Sequence, residues 1–282
     1  MPDSPATKFV VGAGSALHGE AAGEGTPIVL CHGITATRRA VVHGSRALER
    51  AGHRLIIYDA RGHGASDPAP PGASYAYQEL IGDLERVVEA EAGGDRFLLG
   101  GHSMGAHTAV GYALRHPQRL AGLVVIGPSY EGPLGPEALA HWDGLATALE
   151  TGGIDAFVAH IDRHQPVDSA WRDSVLRFTR ERMLRHQHPR AVVAALRQVP
   201  RSQPFGALKD LRGLQVPALV VASHDTADPG HPYATAVAYA EALPHSELIS
   251  EAEGSSPLAW QGGRLSRAIA AFAAAPPVAG RL

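Results

Sequence analysis

Short apolar runs rich in β-branched residues alternate with longer stretches of helical period along most of the chain. Ile28-Val29-Leu30 and Leu219-Val220-Val221 are apolar at every position. Strands read this way when helices cover both faces of a sheet, whereas a half-wet strand alternates apolar and polar. Strands are predicted at 8–11, 27–31, 53–58, 97–99, 122–126, 218–222 and 247–249, and helices at about 40–51, 75–91, 104–115, 233–242 and 264–274. Strand and helix in alternation build crossover units that feed a mostly parallel, doubly wound sheet, so the fold class is α/β.

From about Gly127 to Phe205 the alternation stops, and the residues are of mostly helical character with His, Arg and Trp scattered among them. This stretch predicts a helical cap inserted after one strand. Gly127-Pro128 and Gln203-Pro204 are its expected hinges, because Pro and Gly interrupt helices. The expected division is a core of residues 1–127 and 206–282 and a cap of 128–205, with an Ala/Pro-rich tail at 271–280.

Composition narrows the partners. At 282 residues and 45% hydrophobic content the chain can bury a sizeable core. A formal charge of -3, with no run of Lys or Arg, argues against nucleic acid as a partner. The single cysteine, Cys31, permits no intramolecular disulfide and is expected to be a buried small hydrophobe. No basic-then-apolar leader and no bilayer-length apolar run is visible, so a cytoplasmic location and no membrane partner are expected. The expected partner is a small-molecule substrate; the oligomeric state stays open. No cofactor and no metal is expected: His186-Gln187-His188 lacks a Cys or carboxylate at ligand spacing and is read as a solvated helix end.

The chemistry centres on Leu98-Leu99-Gly100-Gly101-His102-Ser103-Met104-Gly105-Ala106. Here an apolar strand runs into Gly-x-Ser-x-Gly and then into a helix, the context that thrusts a serine out at the carboxyl end of a sheet. Val29-Leu30-Cys31-His32-Gly33-Ile34 follows one buried strand, and Tyr58-Asp59-Ala60-Arg61-Gly62-His63-Gly64-Ala65-Ser66-Asp67 follows another. With these three motifs in this order, the chain resembles the α/β-hydrolase family from about residue 8 to 274. The resemblance implies Ser103 as nucleophile and the amides of Ile34 and Met104 as the oxyanion hole. It also implies that His32 bonds nearby backbone beside the pocket, that His102 packs behind the nucleophile, and that Asp59 and Arg61 hold the surrounding loop.

Serine needs a base, usually a histidine oriented by a carboxylate, and the family order is Ser, then Asp or Glu, then His. Two carboxylates, Asp225 and Asp228, stand in the loop after the strand at 218–222; the Asp228-Pro229-x-His231-Pro232 pattern favours Asp228. The histidine expected after the last strand is absent: Ser255 occupies its place, and no histidine occurs from 246 to 282. Three readings follow. Another histidine acts as base, His231 first, then His224 and His102. Alternatively the cap supplies it from His160, His164, His186 or His188. In the third, the pocket only binds a ligand or partner.

For the cap, Trp142, Phe157, Trp171, Phe178, Met183 and Leu184 are candidates for an apolar roof, and Trp260 joins Ser255 as a candidate pocket residue. Arg172, Arg177, Arg180 and Arg182 are read as a solvated charged face. The expected function is hydrolysis of a small ester, lactone or related acyl compound, with a lyase or acyl-transfer reaction in the same pocket as the variant that sequence does not separate.

Overall fold

The computed structural model describes residues 6–12, 15–164, 171–224, 228–252, 260 and 263–282. The chain runs β1 (Thr7–Val11), β2 (Leu17–Ala22), β3 (Thr26–Cys31), α1 (Ala47–Arg50), β4 (His53–Tyr58), α2 (Tyr77–Glu91), β5 (Phe97–His102), α3 (Met104–Arg115) and β6 (Leu120–Ile126). It continues with α4 (Pro136–His164), α5 (Arg172–Met183), α6 (Pro189–Gln198), β7 (Ala218–Val221), α7 (Tyr233–Ala242), β8 (Ser246–Ile249), α8 (Arg264–Ala274) and a short α9 (Pro276–Ala279). The eight strands form one sheet in the order β1-β2-β4-β3-β5-β6-β7-β8, in which β2 is antiparallel to its neighbours and the strands from β4 to β8 are parallel.

All seven residues of β6 and all four of β7 are buried, because helices pack on both faces of the sheet. One face packs α2, α3 and α7 over Val29, Leu99 and Val125; the other packs α1 and α8 over Ile28, Leu98 and Val124. Parallel strands all present their carboxyl ends at one edge, and the chemistry-bearing loops gather there.

Two elements depart from the expected pattern. Strand β2, Leu-His-Gly-Glu-Ala-Ala, was not predicted: its residues have poor strand propensity, and pairing with β1 and β4 supplies what propensity lacks. The helix expected at 40–51 is instead a short 3-10 turn, Arg38–Val42, and α1, separated by His43 and Gly44 at positive φ of 49° and 72°. Between β6 and β7 lies the helical cap, with α4 broken at Gly153 (φ 68°, ψ -159°). It has its own apolar core of Leu145, Leu149, Phe157, Met183, Val192 and Leu196. No described helix is long and apolar enough to cross a membrane.

Candidate active site

Strand β5 ends at His102 and α3 starts at Met104, so Ser103 alone makes the turn. It does so at φ 53° and ψ -119°, a conformation that a side-chain-bearing residue keeps only where its surroundings over-determine it. The Ser103 N–H donates to Ile126 O on β6 at 3.0 Å, and the Ser103 carbonyl accepts from His107 N at 3.0 Å. The flanking glycines are required sterically. A Cβ on Gly101 would lie 2.3 Å from the Gly105 backbone, and one on Gly105 would lie 2.2 Å from the Cys31 carbonyl oxygen. Close packing of strand, turn and helix therefore demands this spacing, and it leaves Ser103 on the wall of a cavity of about 530 Å³.

The loop after β3 runs alongside the turn. A Cβ on Gly33 would stand 3.3 Å from Ser103 Cβ and 2.9 Å from His102 Nδ1. Glycine thus lets Ile34 reach the cavity wall beside Met104. Among the described residues, neither the Ile34 amide nor the Met104 amide donates to a protein carbonyl. The second is one of the donors that the first turn of any helix leaves free, at the positive end of the α3 dipole.

Buried polar groups hold this loop in place. Asp59 accepts from the Arg38 amide at 2.8 Å, from the Ala65 amide at 3.0 Å and from the Arg38 guanidinium. Arg61 forks onto Asp83 at 2.6 and 2.7 Å and reaches Glu79 at 2.8 Å. His32 donates from Nδ1 to Gly33 O at 2.8 Å and accepts from the Ala60 amide at 2.9 Å. It is buried and does not line the main cavity, so it is a support of the loop rather than the pocket residue expected of it. His186 is buried as well, not a solvated helix end: docking of the cap puts it between two core loops, where Nε2 donates to Thr35 O and Nδ1 accepts from the Gly64 amide, both at 2.9 Å. The His63 ring lies between these two at centroid distances of 5.3 and 5.5 Å. Burial pushes all three imidazoles below their usual range, His186 to about 4, and the amide bonds accepted by His32 and His186 require those two rings to be neutral. Cys31 is buried too, and burial pushes its thiol up to about 12, which leaves it unreactive.

On the opposite side of Ser103, the loop after β7 brings in a carboxylate and an imidazole together. His231 Nδ1 lies 2.7 Å from Asp228 Oδ2. A carboxylate only accepts, so the proton of this hydrogen bond sits on Nδ1 and Nε2 is left for other contacts; among the described residues Nε2 has no partner. Desolvation works against the Asp228 carboxylate, but the charge and hydrogen bond of His231, then His102 and Arg182, outweigh it and bring the group down to about 2. His102 lies beside His231 at a ring-centroid distance of 4.7 Å and lines the cavity. Burial first, and His231 next, lower it to about 3. Gly127 makes room for both rings: a Cβ there would stand 3.3 Å from His102 Nε2 and 3.4 Å from His231 Cγ. Ser103, His102, Asp228 and His231 thus share one cavity, and among the described residues the Ser103 hydroxyl has no hydrogen-bond partner. Asp225 and Ser255 lie outside the described residues. His224 stacks on Tyr233 at 3.8 Å, and neither it nor the cap residues His160, His164 and His188 line this cavity. Donor atoms of His102, Asp228 and His231 come within 4.8 Å of one another. Ligands at about 2.1 Å from one ion would sit roughly 3.4 Å apart, so a cation would require the three to close up.

Trp142, Phe157, Trp171 and Phe178 line the cavity from the cap, whereas Met183 belongs to the cap core and Leu184 is exposed. Trp260 is placed away from it: its indole donates to Ala222 O and Glu251 Oε2, both at 3.0 Å, and its ring packs under α8. Two features of the wall went unpredicted. His107 donates to Tyr77 Oη at 2.8 Å and accepts from the Ser129 and Tyr130 amides, fixing the polar floor; its position one helical turn after Ser103 was the available signal. Arg182 also lines the cavity, away from the solvated face assigned to the α5 arginines.

The family profile described as the alpha/beta hydrolase fold matches residues 26–258. Epoxide hydrolase B of Mycobacterium tuberculosis is 34% identical over 109 residues, which cover 39% of this chain and 30% of that protein, so the match spans less than a third of that relative. A 2-hydroxy-6-oxononadienedioate/2-hydroxy-6-oxononatrienedioate hydrolase of Pseudomonas putida is 30% identical over 216 residues, 73% of each chain. Among solved structures, a thermophilic esterase from Thermogutta terrifontis superposes with a TM-score of 0.76 at 24% identity, over 95% of this chain and 98% of its own. The profile match spans most of the chain, and the neighbour shares its fold: this protein belongs to the α/β-hydrolase fold family.

Proposed function

We propose that the protein is a hydrolase of a small ester, lactone or related acyl compound, with Ser103 as nucleophile and with acid and base drawn from one loop. The observation that carries this reading is the 2.7 Å contact between His231 Nδ1 and Asp228 Oδ2 on the wall that also bears Ser103. Asp228 fixes the imidazole so that the lone pair of Nε2 is available. His231 takes the Ser103 hydroxyl proton as Oγ attacks the carbonyl, and the Ile34 and Met104 amides receive the developing oxyanion. His231 then returns the proton to the leaving alkoxide, and the tetrahedral intermediate collapses to an acyl-enzyme. Water, deprotonated by the same imidazole, releases the acid and regenerates Ser103. Family relatives that are hydrolases support the reaction class, and the cavity volume lies in the range of small-molecule sites. The unpartnered Ser103 hydroxyl favours the second reading, a pocket that binds without turnover. A buried, unreactive single cysteine agrees with a cytoplasmic setting.

A fluorophosphonate probe separates the two readings. Stoichiometric labelling mapped to Ser103, lost in Ser103→Ala, supports the hydrolase. Folded protein that stays unlabelled ends it and leaves the binder.

A further inference from the structure

Four arginines lie on α5: Arg172, Arg177, Arg180 and Arg182. Three of them are engaged at the surface. Arg172 forks onto Asp162, Arg180 pairs with Asp155, and Arg177 lies 5.3 Å from the Phe178 ring centre. Arg182 differs. Ser174, Val175, Phe178, Thr179 and Arg182 all line the cavity, and offsets of one, four, five and eight residues trace one face of a helix. Helical phase therefore turns Arg182 inward while it turns the other three out.

Among the described residues no carboxylate or carbonyl receives this guanidinium. Its Nε is buried without a hydrogen-bond partner, and among the described residues Arg182 forms no salt bridge. Asp228 is the one carboxylate on the described cavity wall, and His231 holds it. Burial weighs on the charged form of Arg182, and Asp228 offsets this only in part. A guanidinium taken out of water without an anion is costly, and an arriving carboxylate removes that cost through two parallel charge-assisted hydrogen bonds. No other Lys or Arg lines the cavity among the described residues, and much of the cap's share of the wall is apolar: Trp142, Leu145, Phe157, Ile161 and Trp171.

We propose that Arg182 anchors a carboxylate carried by the substrate, so that the compound cleaved is an ester or lactone with an anionic end, an apolar middle and its reacting carbonyl at Ser103. The position of the cleaved bond rests on the hydrolase reading above; the carboxylate anchor does not. Hexanoate and its neutral isostere hexanamide are the probes, with binding read from the fluorescence of Trp142 and Trp171. A charge-assisted hydrogen bond is worth about 1.5–3 kcal/mol, so the wild type should bind hexanoate roughly 10- to 100-fold more tightly than hexanamide. Arg182→Gln should abolish that preference, and Arg180→Gln should keep it. Phenylglyoxal gives a second readout that does not depend on a variant folding: hexanoate should protect Arg182 in the wild type, mapped by peptide mass spectrometry, and hexanamide should not. Equal binding of the two probes by the wild type overturns the proposal, as does an unchanged preference in folded Arg182→Gln or an absence of protection. Neither readout needs turnover. Protein that prefers hexanoate but leaves Ser103 unlabelled by fluorophosphonate keeps the anchor and loses the hydrolase; labelled protein without the preference does the reverse.

Discussion

Two groups of histidines flank the turn at Ser103, and they differ in what their nitrogens have left to do. Around the loop after β3, His32 and His186 each use both ring nitrogens on backbone groups, and His63 uses one, on Arg61 O at 3.0 Å. On the other side, His231 uses one nitrogen on Asp228 and keeps the other for the cavity, with His102 beside it. The first group joins core loops to one another and to the cap. The second has bonding capacity left over beside a serine. Abundance of histidine therefore says little about catalysis, since the informative quantity is an oriented nitrogen with an open lone pair.

Substitutions that exchange the two groups test this difference most directly. His231→Gln removes the imidazole that a carboxylate orients on the cavity wall and should lower kcat by about 10³-fold, the scale of general-base catalysis, while the melting temperature stays near that of the wild type. Asp228→Asn leaves the imidazole but removes what orients it, and should cost about 10²- to 10⁴-fold in kcat. His102→Gln should cost roughly tenfold or less, because a neighbour of the base is altered rather than the base. Esterase assays on an activated ester rank the three. If His102→Gln proves the most damaging, the base is His102 and the comparison must be redrawn around it.

His186→Ala reverses the pattern. It strips partners from the Gly64 amide and the Thr35 carbonyl, in the loops after β4 and β3, and opens a cavity where the cap meets the core. Each buried polar group left unsatisfied costs about 1–3 kcal/mol, so the variant should unfold at a clearly lower urea midpoint. Full stability in this variant, measured by circular dichroism, would sink the structural assignment of the first group.

How far the sequence carried these assignments varied with how local the cause was. The elbow is local: two glycines, one serine and a strand-to-helix transition fall within nine residues, and the strands around it are apolar throughout. Asp228 and His231 are three residues apart, so both were candidates from the same loop. Long-range causes were hidden. Strand β2 exists because β1 and β4 pair with it, and its own Gly and Ala residues give no sign of that. On α5 the four arginines look alike in composition, and only the docking of the cap decides which one faces the cavity. His186 shows the same limit: Arg185-His186-Gln187-His188 reads as a polar helix end, yet it meets Gly64 and Thr35 across more than a hundred residues of chain.

Acid provides the smallest and most specific test of the comparison. His32, His63 and His186 are held by burial below the ordinary histidine value of 6.5, and burial also lowers His107, to about 3. The unfolded chain binds protons at these positions once the pH falls below about 6.5, and the folded chain does not until each lowered value is reached. The sign follows from that difference. The unfolded state carries more protons, so stability is fully present above about pH 6.5 and is lost progressively as the pH drops, down to about 4 where His186 is concerned. A His186→Gln variant has one such group fewer. Whatever its loss at neutral pH, its unfolding free energy should fall less steeply between pH 6 and 4.5, by up to about 1.4 kcal/mol per pH unit for one proton. Urea midpoints across that range measure the slope for wild type and variant. Parallel slopes would mean that His186 takes up its proton without cost in the folded protein, and burial between cap and core could not then be what keeps it neutral.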